Sequence, residues 1–145
     1  MKALVCLTAD YANVTHDGKL NIMGVFNIIF SQDFPARHSA FYLVTKLVLE
    51  LGEERKDRKL ETLLLGEDAN KFKVKLLERT ISFESQEPGA MPESQGILGL
   101  RDIVFPEPGT YQFVLHVDGQ FLASTPIHLK KLEPQVAESS PKLEG

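Results

Sequence analysis

The feature that most constrains the fold is a regular alternation of apolar side chains on both sides of an Asp-Gly pair near the C-terminal end. Apolar residues recur at odd-numbered positions before and after this pair: Tyr111, Phe113, Leu115, Val117, Phe121, Ala123, Ile127 and Leu129. A period of two places such side chains on one face of a β-strand, because successive side chains of a strand point to opposite sides. Asp118 and Gly119 are residues that turns favour. Residues 103–129 therefore predict a β-hairpin.

The length of the hairpin loop decides which face the two strands share. A two-residue loop pairs odd positions with even ones and would set Phe121 on the face opposite Tyr111. A three-residue loop with Gly119 in the left-handed conformation pairs odd positions with odd ones, so that all the large apolar groups share one face. We expect the three-residue loop. His116 and His128 then lie on the less apolar face, and no spaced set of further ligands around them predicts a metal site.

The chain before this hairpin reads as strands separated by turns. An almost continuously apolar run over residues 3–13 predicts a strand, and a turn at Asp17-Gly18 joins it to a second strand over residues 19–30. Gly24 in the middle of that second strand indicates a bulge or a close approach of the backbone. Residues 31–39 are expected to cross between sheets. Residues 41–51 are apolar on both faces, which is typical of a central strand.

The middle of the chain leaves one choice open. The mixed charges of residues 53–59 are typical of a solvated hairpin tip rather than of a phosphate-binding patch. Residues 59–65 fit either a strand or one end of a helix. Lysines then alternate with apolar residues over 71–76, as in an edge strand that must not pair with another molecule, which favours strand–turn–strand. The Pro- and Gly-containing residues 87–93 predict a loop.

These segments together predict an all-β fold. About eight or nine short strands with turns between them indicate an antiparallel β-sandwich, immunoglobulin-like or jelly-roll-like, with a partly closed barrel as the alternative. A chain of 145 residues is long enough for one domain with a real core. We expect a single domain over residues 1–131 and a disordered tail over residues 132–145, where apolar residues become sparse.

Composition narrows the class of partner and the compartment. A net charge of −4 and a pI near 5.6 argue against a nucleic-acid binder. The single cysteine, Cys6, is expected to be a small buried hydrophobe and fits a reducing compartment. The first apolar run ends at Asp10, too early for a signal peptide, and no run approaches membrane-spanning length. These observations predict a cytoplasmic protein with no membrane contact.

A search for chemistry finds no phosphate loop, nucleophile elbow, zinc motif or cysteine pair, so we expect no cofactor, no bound metal and no catalytic residue. One alternative is a metal- or small-ligand-binding protein, with hydrolase activity as one form of it. Its site would lie at the loop end of the sandwich and would use the following residues: Asp10, Asn13, His16, Asp17 and His38. Asp, Asn and Gly are also the ordinary residues of turns, and the calcium-loop spacing is absent, which favours plain turns.

The leading functional hypothesis is a non-catalytic binding or assembly module. It rests on a segment with apolar residues of both parities, where Met23 and Val25 alternate with Ile22 and Phe26. Apolar groups on both faces of a strand must be covered by a second sheet, a neighbouring chain or a partner. We therefore expect an unidentified protein partner or a homodimer, the homodimer being the simplest cover.

Two stretches resemble a known family. The opening Ala9-Asp10-Tyr11-Ala12-Asn13-Val14, continued by Asp17-Gly18-Lys19-Leu20-Asn21 and Gly24-Val25-Phe26, is similar to a family of small bacterial all-β proteins of unknown function. The later Phe105-Pro106-Glu107-Pro108-Gly109 looks like the close of the same family. The resemblance covers most of residues 1–130. It implies an all-β domain from a bacterial cytoplasm, and it carries over no catalytic residues.

Overall fold

The computed structural model describes residues 1–133 as nine β-strands. Their bounds are β1 Lys2–Val14, β2 Leu20–Val25, β3 Ile28–Ser31, β4 Ala36–Val48, β5 Arg58–Leu65, β6 Lys73–Ile81, β7 Glu93–Phe105, β8 Gly109–Val117 and β9 Gln120–Lys131. None of these residues belongs to a helix, so the described part of the chain has no helix that could cross a membrane. The predicted tail lies outside the described residues from position 134 onward.

The strands form two sheets that face each other. Sheet A has the order β2-β1-β4-β7, and sheet B has the order β3-β9-β8-β5-β6. Side chains from both sheets fill one core, in which the ring of Phe41 from sheet A lies 6.0 Å from the ring of Phe113 from sheet B. The all-β sandwich prediction is confirmed. The predicted central position of the strand over 41–51 is confirmed, because β4 lies between β1 and β7. Its bounds differ: β4 takes in residues 36–39 of the predicted crossover and ends at Val48, so the crossing between sheets is limited to residues 32–35.

The segment predicted as one strand over residues 19–30 is two strands in different sheets. It breaks at Phe26 and Asn27, where the amide of Phe26 donates to the carbonyl of Thr8 in sheet A and the carbonyl of Asn27 accepts from His128 in sheet B. The second half, β3, then pairs with β9 in parallel, which departs from the predicted purely antiparallel arrangement. Adjacent residues thus form hydrogen bonds with different sheets. Such pairing depends on residues far apart in the chain, so the local sequence pattern does not predict it.

The hairpin loop has two residues, so the predicted three-residue loop is wrong. Val117 pairs with Gln120, and both Asp118 and Gly119 have positive φ, of 51° and 82°. This backbone matches the twist of the two strands. A bulge in β9 then restores odd-with-odd pairing, and Tyr111 pairs with Ile127. The shared apolar face is therefore right for the body of the hairpin.

Phe121 is the exception to that shared face. It lies between the turn and the bulge, where the odd residues of β9 still face the opposite way, and it is 65% exposed. Sequence parity cannot reveal an inserted residue, because a bulge shifts the pairing by one position without changing the pattern itself.

Strand geometry also resolves the open choice in the middle of the chain. Residues 58–65 are strand β5, which pairs with β8 on one side and β6 on the other. Strand β6 is an edge strand, as its lysines predicted, and it runs from Lys73 to Ile81. Paired charged side chains lie on the outer face of sheet B along β5 and β6. The ammonium group of Lys59 lies 2.5 Å from the carboxylate of Glu78, and that of Lys75 lies 3.0 Å from the carboxylate of Glu61.

Candidate functional site

The side chains of sheet A that point away from the core form apolar rows across four strands. Leu7 lies opposite Val44, and Val44 lies opposite Ile97 on β7. The next row joins Tyr42 and Val25 to the central Ala9, and in the following row Tyr11 lies opposite Met23. We call this set the outer apolar patch, and its members are Leu7, Ala9, Tyr11, Met23, Val25, Tyr42, Val44 and Ile97.

The outer apolar patch is closely packed at its centre and exposed to solvent along one side. Ala9 and Val44 are fully covered although they face away from the core, because their neighbours on the same face close over them. Tyr11 meets Tyr42 edge to face, with ring centroids 5.9 Å apart and planes at 88°. Toward the β2 edge, Tyr11, Val25 and Met23 are 47%, 61% and 64% exposed. The rings and methyl groups thus form a packed surface that still presents much of its apolar area to water.

Polar groups border this patch and are already paired. The amide of Asn21 donates to the side-chain oxygen of Asn13 at 3.0 Å. At the other end of the sheet, Lys46 lies 3.5 Å from Glu93. An apolar centre with aromatic residues and methionine inside a polar rim is the usual anatomy of a protein–protein interface.

The outer face of sheet B differs in kind. Hydrogen bonds from Lys59 and then from Lys75 hold the pKa of Glu78 below its ordinary value. The bond to Glu78 raises the pKa of Lys59, and bonds to Glu61 and then to Glu78 raise the pKa of Lys75. Charged pairs at this exposure are screened by water and leave the face well hydrated. The outer face of sheet B is therefore ionic over β5 and β6, whereas the centre of the outer face of sheet A is apolar.

The five residues predicted for a ligand site have separate surroundings. The carboxylate of Asp10 lies against Gly24, whose φ is 70°, so that a methyl group there would lie 2.5 Å from its Oδ2. This confirms the close approach predicted at Gly24. Asn13 is bound to Asn21 at the patch border, whereas Asp17 is held in its own turn by Thr15 and Lys19.

The two histidines of the predicted ligand site, His16 and His38, also have separate surroundings. His16 is exposed in the turn between β1 and β2. His38 contacts aromatic rings, with centroids 5.2 Å from Phe41 and 5.8 Å from Phe26. Within residues 1–133, no three side chains of His, Cys, Asp or Glu converge in a way that could hold a metal ion. Burial raises the pKa of the Cys6 thiol to about 11, so this side chain is a neutral thiol at pH 7.

Sequence reasoning found only part of the outer apolar patch. Met23 and Val25 stood out because apolar residues of both parities surround them. Tyr11, Tyr42 and Ile97 were not singled out, because they lie far apart in the chain and meet only through the register of β1, β4 and β7. These residues could have been found by looking for apolar side chains at the outward-facing positions of a strand whose inner face is already known.

Comparison with known proteins adds a family and a distant structural neighbour. The model of a family of unknown function, DUF6941, matches residues 4–130. No curated protein sequence matches the chain significantly. Among solved structures, the chain is similar to the alkylpurine DNA glycosylase AlkC of Pseudomonas fluorescens bound to DNA containing an abasic site analog. The TM-score is 0.43 and the identity 14%, over 85% of this chain and 30% of that one.

The chain thus spans less than a third of the length of that glycosylase. The family match runs from the first strand to the last and agrees with the resemblance seen at both ends of the sequence. Because this match covers most of the chain, the protein belongs to the family of unknown function DUF6941.

Proposed function

We propose that the protein is a non-catalytic assembly module of the bacterial cytoplasm and that its outer apolar patch binds a second copy of the chain. The observation that carries this proposal is the exposure of Met23 and Val25, at 64% and 61%, beside Tyr11 on a face whose centre is already closely packed. Methionine and aromatic residues are enriched at interfaces, where they bury large apolar area. The bacterial cytoplasm is supported by the family resemblance and by a lone cysteine that has no disulfide partner in the sequence.

The size of the patch suits the centre of an interface. Four strands at about 4.8 Å spacing and about five residues along each give a plan area on the order of 300 Å². A stable interface buries about 800 Å² on each partner. The patch therefore supplies the apolar core of such an interface, and the paired polar groups around it would supply the rim.

The lack of charge on the patch permits a second copy as the occupant, although the whole chain is acidic. A chain with a net charge of −4 is repelled by itself over long distances. The patch itself contains no charged residue, and the nearby Lys46 and Glu93 neutralise each other. Two copies related by a two-fold axis can thus bring this face together without placing like charges in contact.

Replacing Val25 with lysine is expected to weaken self-association at least about tenfold, because the ammonium group would be desolvated without a partner. Light scattering and sedimentation across the micromolar range would measure the dissociation constants of the wild type and the variant. The folded chain tolerates a lysine at a position this exposed, which a circular dichroism spectrum would verify.

Phe121→Lys is the matched control, since Phe121 is 65% exposed but lies on sheet B. The wild type and this control are expected to show the same concentration-dependent dimer. A wild type that stays monomeric up to high micromolar concentration would overturn the proposal. Equal weakening by Val25→Lys and Phe121→Lys would move the interface away from the outer apolar patch.

A further inference from the structure

A crevice of about 100 Å³ opens between the two sheets on the side where β6 and β7 are the edge strands. Leucine side chains such as Leu60, Leu77 and Leu115 form much of its wall. Polar groups interrupt this apolar layer, and they come from both sheets. The crevice lies between the inner faces of the sheets, whereas the outer apolar patch lies on the outer face of sheet A; Ile97, on the edge strand β7, borders both.

Strand register points Arg79 toward the inside of the sandwich. Arg79 pairs with Leu60, which is buried in the core, so both side chains take the inner face of sheet B. Thr62 is on the same face, between Leu77 on β6 and Leu115 on β8, and it is buried. Arg79 is exposed on the edge strand β6, so its guanidinium group lies at the rim of this inner layer, beside the buried threonine.

Sheet A forms the opposite wall of the crevice, and a glycine in this sheet leaves its mouth open. Thr45 is buried and pairs with Gly96 on the edge strand β7. A methyl group on Gly96 would lie 2.7 Å from Oγ1 of Thr45 and 3.7 Å from Nη2 of Arg79. The missing side chain at Gly96 therefore leaves the mouth of the crevice open between the guanidinium group and the threonine hydroxyl.

Arg79 forms no ion pair within the part of the chain that the structure describes. The neighbouring Glu78 points to the outer face, where Lys59 and Lys75 bind it. A guanidinium at the mouth of a largely apolar crevice, with hydroxyl groups inside it, has the chemistry to bind a carboxylate that carries an apolar tail.

We propose that this crevice binds a small monocarboxylic acid with a short alkyl chain. Arg79 binds the carboxylate at the mouth, and the chain lies between the leucines of the two sheets, with Thr45 and Thr62 beside it. The volume suits a few carbon atoms, since about 100 Å³ corresponds to several water molecules at ~10–15 Å³ each. It is too small for a nucleotide or a sugar chain. The competing explanation is that an inward charge merely protects the edge strand β6 from pairing.

Calorimetric titration of the full chain with acetate, butyrate, hexanoate and octanoate in a carboxylate-free buffer tests the proposal. Affinity is expected to rise about fourfold per methylene until the crevice is filled, and then to stop rising. Hexan-1-ol and methyl hexanoate serve as matched probes, because they carry the tail without the negative charge. Both are expected to bind at least about tenfold more weakly than hexanoate.

Arg79→Met is expected to weaken hexanoate binding at least about tenfold, because it removes the charged hydrogen bonds and keeps the length of the side chain. Arg79→Lys retains the charge and is expected to restore part of the affinity. Arg101→Met is the matched control, because Arg101 is exposed on β7 and is not part of the crevice. Circular dichroism establishes that each variant is folded.

Two results would overturn the proposal. One is the absence of saturable binding of any of these acids to the wild type up to about 10 mM. The other is binding that Arg79→Met and Arg101→Met change equally. If Arg79→Met aggregates while the wild type binds no acid, the arginine protects the edge strand and the crevice is not a ligand site.

Discussion

Phe41→Ala is expected to lower the free energy of unfolding by about 3–5 kcal/mol, the usual cost of removing a phenyl ring from a packed core. Phe41 is fully buried in β4, and its ring contacts the rings of Phe26, His38 and Phe113. The alanine variant loses contacts in both sheets at once, because Phe113 belongs to sheet B. Urea unfolding at one fixed protein concentration measures the change, and an unaltered slope would indicate that the unfolded states are comparable.

Phe121→Ala is the control for this variant. Phe121 is 65% exposed, so its removal is expected to change the free energy of unfolding by no more than about 0.5 kcal/mol. A loss below about 1.5 kcal/mol for Phe41→Ala would contradict the core described here, since the two sheets would then not depend on this ring for their contact.

Tyr111→Phe is expected to cost about 1–2 kcal/mol, because its hydroxyl holds the corner that leads into β8. The hydroxyl donates to the carbonyl of Glu107 at 2.6 Å and accepts from the amide of the same residue at 3.2 Å. Removing one oxygen leaves both backbone groups without this partner. Tyr11→Phe is the control, because Tyr11 is 47% exposed, and it is expected to be neutral within about 0.5 kcal/mol.

The same residue predicts a pH dependence. Burial raises the pKa of Tyr111 above its ordinary value of 10.0, and the charges of Glu107 and Glu67 add to this, against the hydrogen bond with the Glu107 backbone. The stability linked to the neutral phenol is therefore fully present below pH 10 and is lost as the pH rises beyond it, because the unfolded chain ionises first. The difference between wild type and Tyr111→Phe is expected to narrow above pH 10. Urea unfolding of both proteins between about pH 8 and pH 11 measures this difference in the free energy of unfolding, and a difference that does not change with pH would contradict the expected role of the buried phenol.

Much of the fold could be predicted because burial follows a local period. Tyr111, Phe113 and Leu115 recur at every second position, and all three are buried on the inner face of sheet B. The lysines of β6 likewise identified an edge strand, since an exposed edge needs charges against unwanted pairing. Each of these two patterns is formed by residues that are close together in the chain, so each can be recognised from the sequence alone.

The candidate site was less accessible to such reasoning. Met23 and Val25 were recognised as needing a cover, whereas Tyr42 and Ile97 join them only through pairing between distant strands. Arg79 and Gly96 carried no signal by themselves. Arg79 is exposed on an edge strand, and only the opposite sheet shows that its guanidinium group lies next to Gly96 at the mouth of the crevice.

By itself, the sequence determined the all-β class, most of the strands, the positions of the turns and the parity of most buried faces, because these depend on steric and hydrophobic preferences within a few neighbouring residues. Only the tertiary structure decided that residues 20–31 divide between two sheets, that Leu122 forms a bulge, and that the outer apolar patch and the crevice exist. These features depend on which distant strands pair and in which register. A shift of one residue in that register would reverse every face while leaving the local pattern unchanged.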